Sequence, residues 1–111
     1  MEIGESNLDG VVVLEPRGYI DTGSAKPFED RTVELISGGS HHMLIDLRHI
    51  LYISSAGFRS LLITAKLMDD ARGKLVLCGL SSEIRRLFEI GNFTELFTIC
   101  GTRDEALTKT R

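Results

Sequence analysis

Apolar positions along this chain alternate between two periods. Val11-Val12-Val13-Leu14, Met43-Leu44-Ile45-Asp46-Leu47, Lys74-Leu75-Val76-Leu77-Cys78 and Leu96-Phe97-Thr98-Ile99 are short, near-continuous apolar runs that predict strands. Between them the spacing becomes helical. Phe28, Thr32, Leu35 and Ile36 share one face of a helix that starts near Ser24, tolerates Pro27 in its first turn and stops at Gly38-Gly39. Phe58, Leu61, Leu62, Ala65 and Met68 mark a second helix, closed by Gly73. A third, capped by Ser82, carries Ile84, Leu87 and Phe88 and ends at Gly91. Thr102-Arg103-Asp104-Glu105 has capping-box spacing and opens a terminal helix.

At the N-terminus, Asn7-Leu8-Asp9-Gly10 is a turn signal that pairs the residues around Ile3 with the valine run as an antiparallel hairpin. Strands alternating with helices predict a mostly parallel sheet, made mixed by that hairpin, with helices packed on it. The expectation is an α/β fold of about four to five strands. One domain covers 1–111, because a chain of this size supports one core and not two.

The most informative stretch runs from Ile45 to Phe58. It reads as a buried strand, a short connection, then Ser54-Ser55 opening an amphipathic helix. The first N–H groups of a helix have no intrahelical partner, and the aligned peptide dipoles favour negative charge there. A serine at that position caps the helix, binds an anion or carries a phosphate. All three readings fit the bare residues. Gly57 costs about 1 kcal/mol of helix propensity against alanine, a cost that fits close approach by a partner or by the sheet below. Asp21 and Asp46 end neighbouring apolar segments and are candidates to lie beside the helix start. Asp21 reads equally well as a turn residue, whereas Asp46 inside an apolar strand requires hydrogen-bond partners. Arg48 and Arg59 read as solvated residues or as contacts to an acidic partner.

Composition narrows the function classes. A net charge of −3 without a basic run gives no footprint for nucleic acid. No apolar stretch approaches the roughly 20 residues of a membrane-spanning helix, so no direct membrane insertion is expected. Met1-Glu2-Ile3-Gly4-Glu5 lacks the plan of a signal peptide, and a cytoplasmic location is the expectation. Cys78 and Cys100 form no disulfide framework, and His41, His42 and His49 have no metal-ligand spacing, so no metal is predicted.

Catalytic equipment is sparse. A nucleophile elbow needs glycine two residues before its serine as well as two after. Asp46 and His49 suggest a Ser/His/Asp hydrolase only by proximity in the chain, which is not geometry. There is no glycine-rich loop leading into a Lys-Ser/Thr pair, hence no nucleotide site and no predicted cofactor. A phosphate on Ser55 would have to be delivered by another protein.

At these residues the chain resembles the STAS domain, and most closely the stand-alone anti-sigma factor antagonists of bacterial partner-switching systems. Gly18-Tyr19-Ile20-Asp21 is similar to the family's Gly-x-Leu-Asp segment, and Leu44-Ile45-Asp46-Leu47 to its apolar-Asp-Leu strand. Ile53-Ser54-Ser55-Ala56-Gly57-Phe58 is similar to its Asp-Ser-Ser-Gly-Leu helix start. Ser82-Glu83-Ile84-Arg85-Arg86-Leu87-Phe88 fits a later helix.

The resemblance implies a non-enzymatic binding module. Ser55 aligns with the serine that is phosphorylated in that family by an anti-sigma factor doubling as an ATP-dependent kinase. Unphosphorylated antagonist binds that kinase and frees the sigma factor, and a PP2C-type phosphatase resets it. Asp21, Asp46, Ser54, Ala56, Gly57, Phe58 and Arg59 would form the partner-binding and phosphosite environment, on a protein monomeric when free. Ser54 stands where many members have aspartate and Ala56 where they have the second serine, which leaves Ser54 as an alternative phosphosite. Arg59-Ser60 replaces the small apolar pair common after the motif. STAS domains also act as regulatory or scaffold subunits in transport, lipid-trafficking and stress-signalling complexes, a second reading. A small enzyme using Ser55 is a third.

Overall fold

Ten residues, Val11–Ile20, form the longest strand, β2, and it serves three neighbours. A computed structural model describes residues 1–111. β1 (Glu2–Leu8) pairs antiparallel with β2 across the Asp9-Gly10 turn, with Leu8 opposite Val11. The first half of β2 pairs in parallel with β3 (His42–Asp46) through Val12, Val13 and Leu14. At Gly18 the register shifts, and the last residues of β2 pair with β4 (Ile50–Ile53), matching Tyr19 to Tyr52 and Ile20 to Ile53. Gly18 adopts φ +96°, a backbone conformation that a side chain disfavours, and its N–H donates to the His49 carbonyl at 3.0 Å. Beyond β3 lie β5 (Lys74–Cys78) and β6 (Thr98–Cys100), both parallel, completing a six-stranded mixed sheet.

Four helices cover this sheet: α1 (Ala25–Ser37), α2 (Ser55–Asp70), α3 (Ser82–Ile90) and α4 (Arg103–Thr110). Strand pleating sends alternate residues to opposite faces. Val12, Leu14, Met43 and Ile45 enter the larger core with Phe28, Phe58, Leu61, Met68, Ile84 and Phe88 from α1, α2 and α3. Val11, Val13, Leu44, Val76, Cys78 and Cys100 face the other way and pack against Ala106 of α4. The α1–α2 seam is polar in its depth, where the Thr32 and Thr64 hydroxyls bond at 2.7 Å and Ser60 Oγ donates to the Ala25 carbonyl at 3.2 Å. No helix is long and apolar enough to cross a membrane.

The sequence expectations need three corrections. The stretch expected to be a connection contains β4, so the strand count is six rather than four to five. Four residues are too few to show a period, and β4 exists because β2 runs past β3 and offers it an edge. Ser81, not Ser82, caps α3, its Oγ accepting from the Ile84 N–H at 3.2 Å. The last strand begins at Thr98, because Thr94–Leu96 forms a 3-10 turn that brings Phe97 into the core.

Candidate functional site: the start of helix α2

Ser54 and Ser55 differ in what the fold does with their hydroxyls. Ser54 is the N-cap of α2, with an extended backbone (φ −84°, ψ 176°) and an Oγ that accepts from the Gly57 N–H at 3.3 Å. Its own N–H donates to the Ile20 carbonyl at 3.0 Å, and Oγ lies 3.4 Å from the same oxygen. Ser54 is half-buried and occupied. Ser55, the first helical residue, is exposed, and its hydroxyl bonds to nothing in the protein. Capping therefore explains Ser54 and leaves Ser55 free for other chemistry.

The residues that follow seat this turn. Ala56 is half-buried against the larger core. Gly57 is buried where α2 crosses the end of β2: a Cβ there would stand 2.2 Å from the Ile20 carbonyl oxygen and 2.8 Å from Ile53 Cγ2. The glycine is thus a requirement of helix-on-sheet packing. Phe58 is buried with its ring stacked on Phe93 at 4.4 Å and edge-on to Phe88 at 4.9 Å, which locks α2 to α3 and the segment after it. Arg59 is exposed, with no ion pair.

The two carboxylates proposed for this neighbourhood go different ways. Asp21 closes β2 next to the carbonyl that Ser54 uses, and its Oδ1 accepts from the N–H groups of Gly23 at 3.0 Å and Ser24 at 3.2 Å. It builds the turn into α1, as its alternative reading as a turn residue held. Asp46 points elsewhere. Pleating puts it on the α4 face with Leu44, opposite the face that α2 covers. At 2% exposure it accepts from the Arg48 N–H at 3.0 Å, from Arg48 Nη2 at 3.1 Å and from Arg103 at 3.0 Å (Nη2) and 3.2 Å (Nε). Arg103 also reaches Glu15 at 2.5 Å. Hydrogen bonding to Glu15, and to Asp46, raises the Arg103 pKa above its ordinary value against the opposing effect of burial. The expectation that Asp46 would lie beside the phosphosite is replaced by a structural role, anchoring the first turn of α4 to the strand ends.

Sequence reasoning missed the apolar rim of the site. Tyr19 and Tyr52, cross-strand partners, are 54% and 48% exposed, and Leu51 is 67% exposed. Leu51 and Tyr52, on β4, precede Ser54-Ser55, and Tyr19 precedes Ile20, whose carbonyl receives the Ser54 N–H. Leu51 and Tyr52 sit in an apolar run that looks buried from end to end, and the only signal was that Tyr carries a polar tip suited to a wet surface.

Comparison with known proteins agrees with this architecture. The STAS domain family matches residues 6–106. BtrV of Bordetella bronchiseptica, a protein assigned to the anti-sigma factor antagonists, is 31% identical over 106 residues, covering 96% of this chain and 91% of its own. An anti-sigma factor antagonist of Thermotoga maritima superposes with a TM-score of 0.93 at 19% identity, covering 98% of this chain and 94% of that one. The Bacillus cell fate determinant SpoIIAA in its phosphorylated form gives a TM-score of 0.75 at 16% identity, covering 99% and 100%. At such identities the two structural likenesses establish the fold, while the family match and the relative establish kinship. The chain belongs to the STAS domain family, among the anti-sigma factor antagonists.

Proposed function

We propose that this protein is a partner switch controlled by phosphorylation of Ser55. Unphosphorylated, it binds an anti-sigma factor that doubles as an ATP-dependent serine kinase, and a sigma factor is released. Phosphorylation of Ser55 ends that binding, and a PP2C-type phosphatase restores it, all within the cytoplasm. The observation that carries the reading is the division of labour between two adjacent serines, one spent on the cap and one exposed without a partner.

The surroundings supply a physical mechanism. Tyr19, Leu51 and Tyr52 give an exposed apolar rim of the kind that anchors protein interfaces. A phosphate carries close to two negative charges at neutral pH. Desolvating it in such an interface costs several kcal/mol, enough to change the preferred partner. A phosphorylated form of SpoIIAA, a protein of the same fold, supports the chemistry by analogy.

The test is intact-mass analysis after incubation with ATP and the cognate anti-sigma kinase, with wild type, Ser55→Ala and Ser54→Ala compared. One phosphate on wild type and Ser54→Ala, and none on Ser55→Ala, is the expected result. Phosphate retained on Ser55→Ala and absent from Ser54→Ala would move the site to Ser54. No phosphate on any variant, with the kinase active on another substrate, would favour the regulatory-subunit reading.

A further inference from the structure

Ser55 and Arg59 are four residues apart on α2, and both are exposed. Residues at this spacing are neighbours on a helix surface, with Cβ atoms about 5–6 Å apart. Helical side chains lean toward the N-terminus, which puts the turn carrying Ser55 within reach of a side chain as long as that of Arg59. Arg31, Arg48, Arg103 and Arg111 are spent on carboxylates. Arg59 is not, nor are Arg17, Arg72, Arg85 and Arg86, and of these five it is the one on α2, four residues after Ser55. Two acids nearer α2 are likewise committed, Asp21 to its turn and Glu29 of α1 to Ser60 Oγ at 3.1 Å, while Asp46 lies on the far face of the sheet.

Building on the phosphorylation of Ser55 proposed above, we infer that Arg59 is the positioning residue for the phosphate. Its guanidinium forms a forked, charge-assisted hydrogen bond with two phosphoryl oxygens and folds the phosphoserine back onto the first turn of α2. Two consequences follow. Phosphorylation tightens α2, because the new charge meets both a cation and the positive end of the helix. It also withdraws Arg59 from the surface offered to a partner, so the switch alters two charges with one modification. An acidic group on a partner, matched to Arg59 in the unphosphorylated state, loses its counter-ion at the same moment.

The test installs phosphoserine at position 55 by genetic encoding, so that no kinase is needed. Thermal unfolding is then read in wild type, Arg59→Gln and Arg59→Lys, and the Arg59 Nε–H resonance in wild type, assigned by its loss in the two variants. Phosphorylation is expected to raise the wild-type Tm by about 3 °C, a gain that shrinks in Arg59→Gln and is partly kept in Arg59→Lys. The Arg59 Nε–H signal is expected to shift and sharpen only in the phosphorylated wild type. An equal Tm gain in wild type and Arg59→Gln, with an unmoved Arg59 resonance, would overturn the clamp. A clamp that forms in a phosphoprotein still binding its partner would instead sink the partner-switch reading and leave this inference standing.

Discussion

Gly57 of α2 lies against the backbone of Ile20 so closely that a single added Cβ would stand 2.2 Å from the Ile20 carbonyl oxygen. The same carbonyl receives the Ser54 N–H at 3.0 Å. One peptide group at the end of β2 therefore fixes both the cap of α2 and the height of its first turn above the sheet. The exposure of Ser55 follows from this seating: two residues before Gly57 it lies about 200° around the helix, so the face that Gly57 presses on Ile20 turns Ser55 outward.

Replacing Gly57 with Ala gains helix propensity of about 1 kcal/mol and loses more, because backbone on both sides must move. The expected net effect is a destabilisation of about 1–3 kcal/mol, read as a lower midpoint in urea. A stabilised Gly57→Ala protein would show that the helix can lift from β2 at little cost.

The two serines are separable by stability alone. Ser54→Ala removes the cap and is expected to cost about 1 kcal/mol. Ser55→Ala removes a hydroxyl that touches nothing and should stay within about 0.5 kcal/mol of wild type. Equal losses in both, by chemical denaturation, would contradict the division between cap and free hydroxyl.

Arg103→Ala leaves the buried Asp46 carboxylate with Arg48 alone and frees the N-terminal turn of α4. A loss of about 1–3 kcal/mol is expected. Hydrogen exchange should concentrate the change in α4 and the ends of β3 and β5, with the amides of the first turn of α2 unaffected. Deprotection centred on Ser54-Ser55 would tie Asp46 to the start of α2 after all.

Cys78 ends β5, buried in the cluster that α4 covers, and burial, with a smaller contribution from the Asp46 charge, pushes its thiol up to about 12. Cys100, its cross-strand neighbour, is raised as well, again chiefly by burial. Raised thiol values mean the folded state holds its protons where the unfolded chain, titrating from about 9, releases them. The contribution is complete below that range and is lost as pH climbs through it toward 12. Stability should therefore fall from pH 9 upward, and a Cys78→Ala, Cys100→Ala variant should lose part of that slope. Both thiols are expected to resist alkylation at pH 8 until the protein unfolds.

Much of the fold was legible because it is written in local periods. Phe58, Leu61, Ala65 and Met68 repeat at helical spacing whatever they pack against, and Asp9-Gly10 makes its hairpin turn without help from the rest of the chain. The serine pair at the start of α2 was legible for the same reason, since a cap is a relation between residues three apart. The sequence by itself thus determined the α/β alternation, the main apolar faces and the place where the phosphosite candidate lies.

Tertiary structure decided what depends on distant partners. β4 is a strand only because the Gly18 bulge turns β2 toward it. Asp46 serves α4 because pleating sends it away from α2, to an arginine 57 residues further along the chain. Tyr52 is a surface residue because Ile53 beside it takes the inward position. The Ile20 carbonyl, from the end of β2, receives the N–H of Ser54 and lies 3.4 Å from its Oγ, which fixes the capping serine to the sheet and leaves Ser55 outside it. Periodicity states which way a side chain faces relative to its own element, and only packing states what stands opposite.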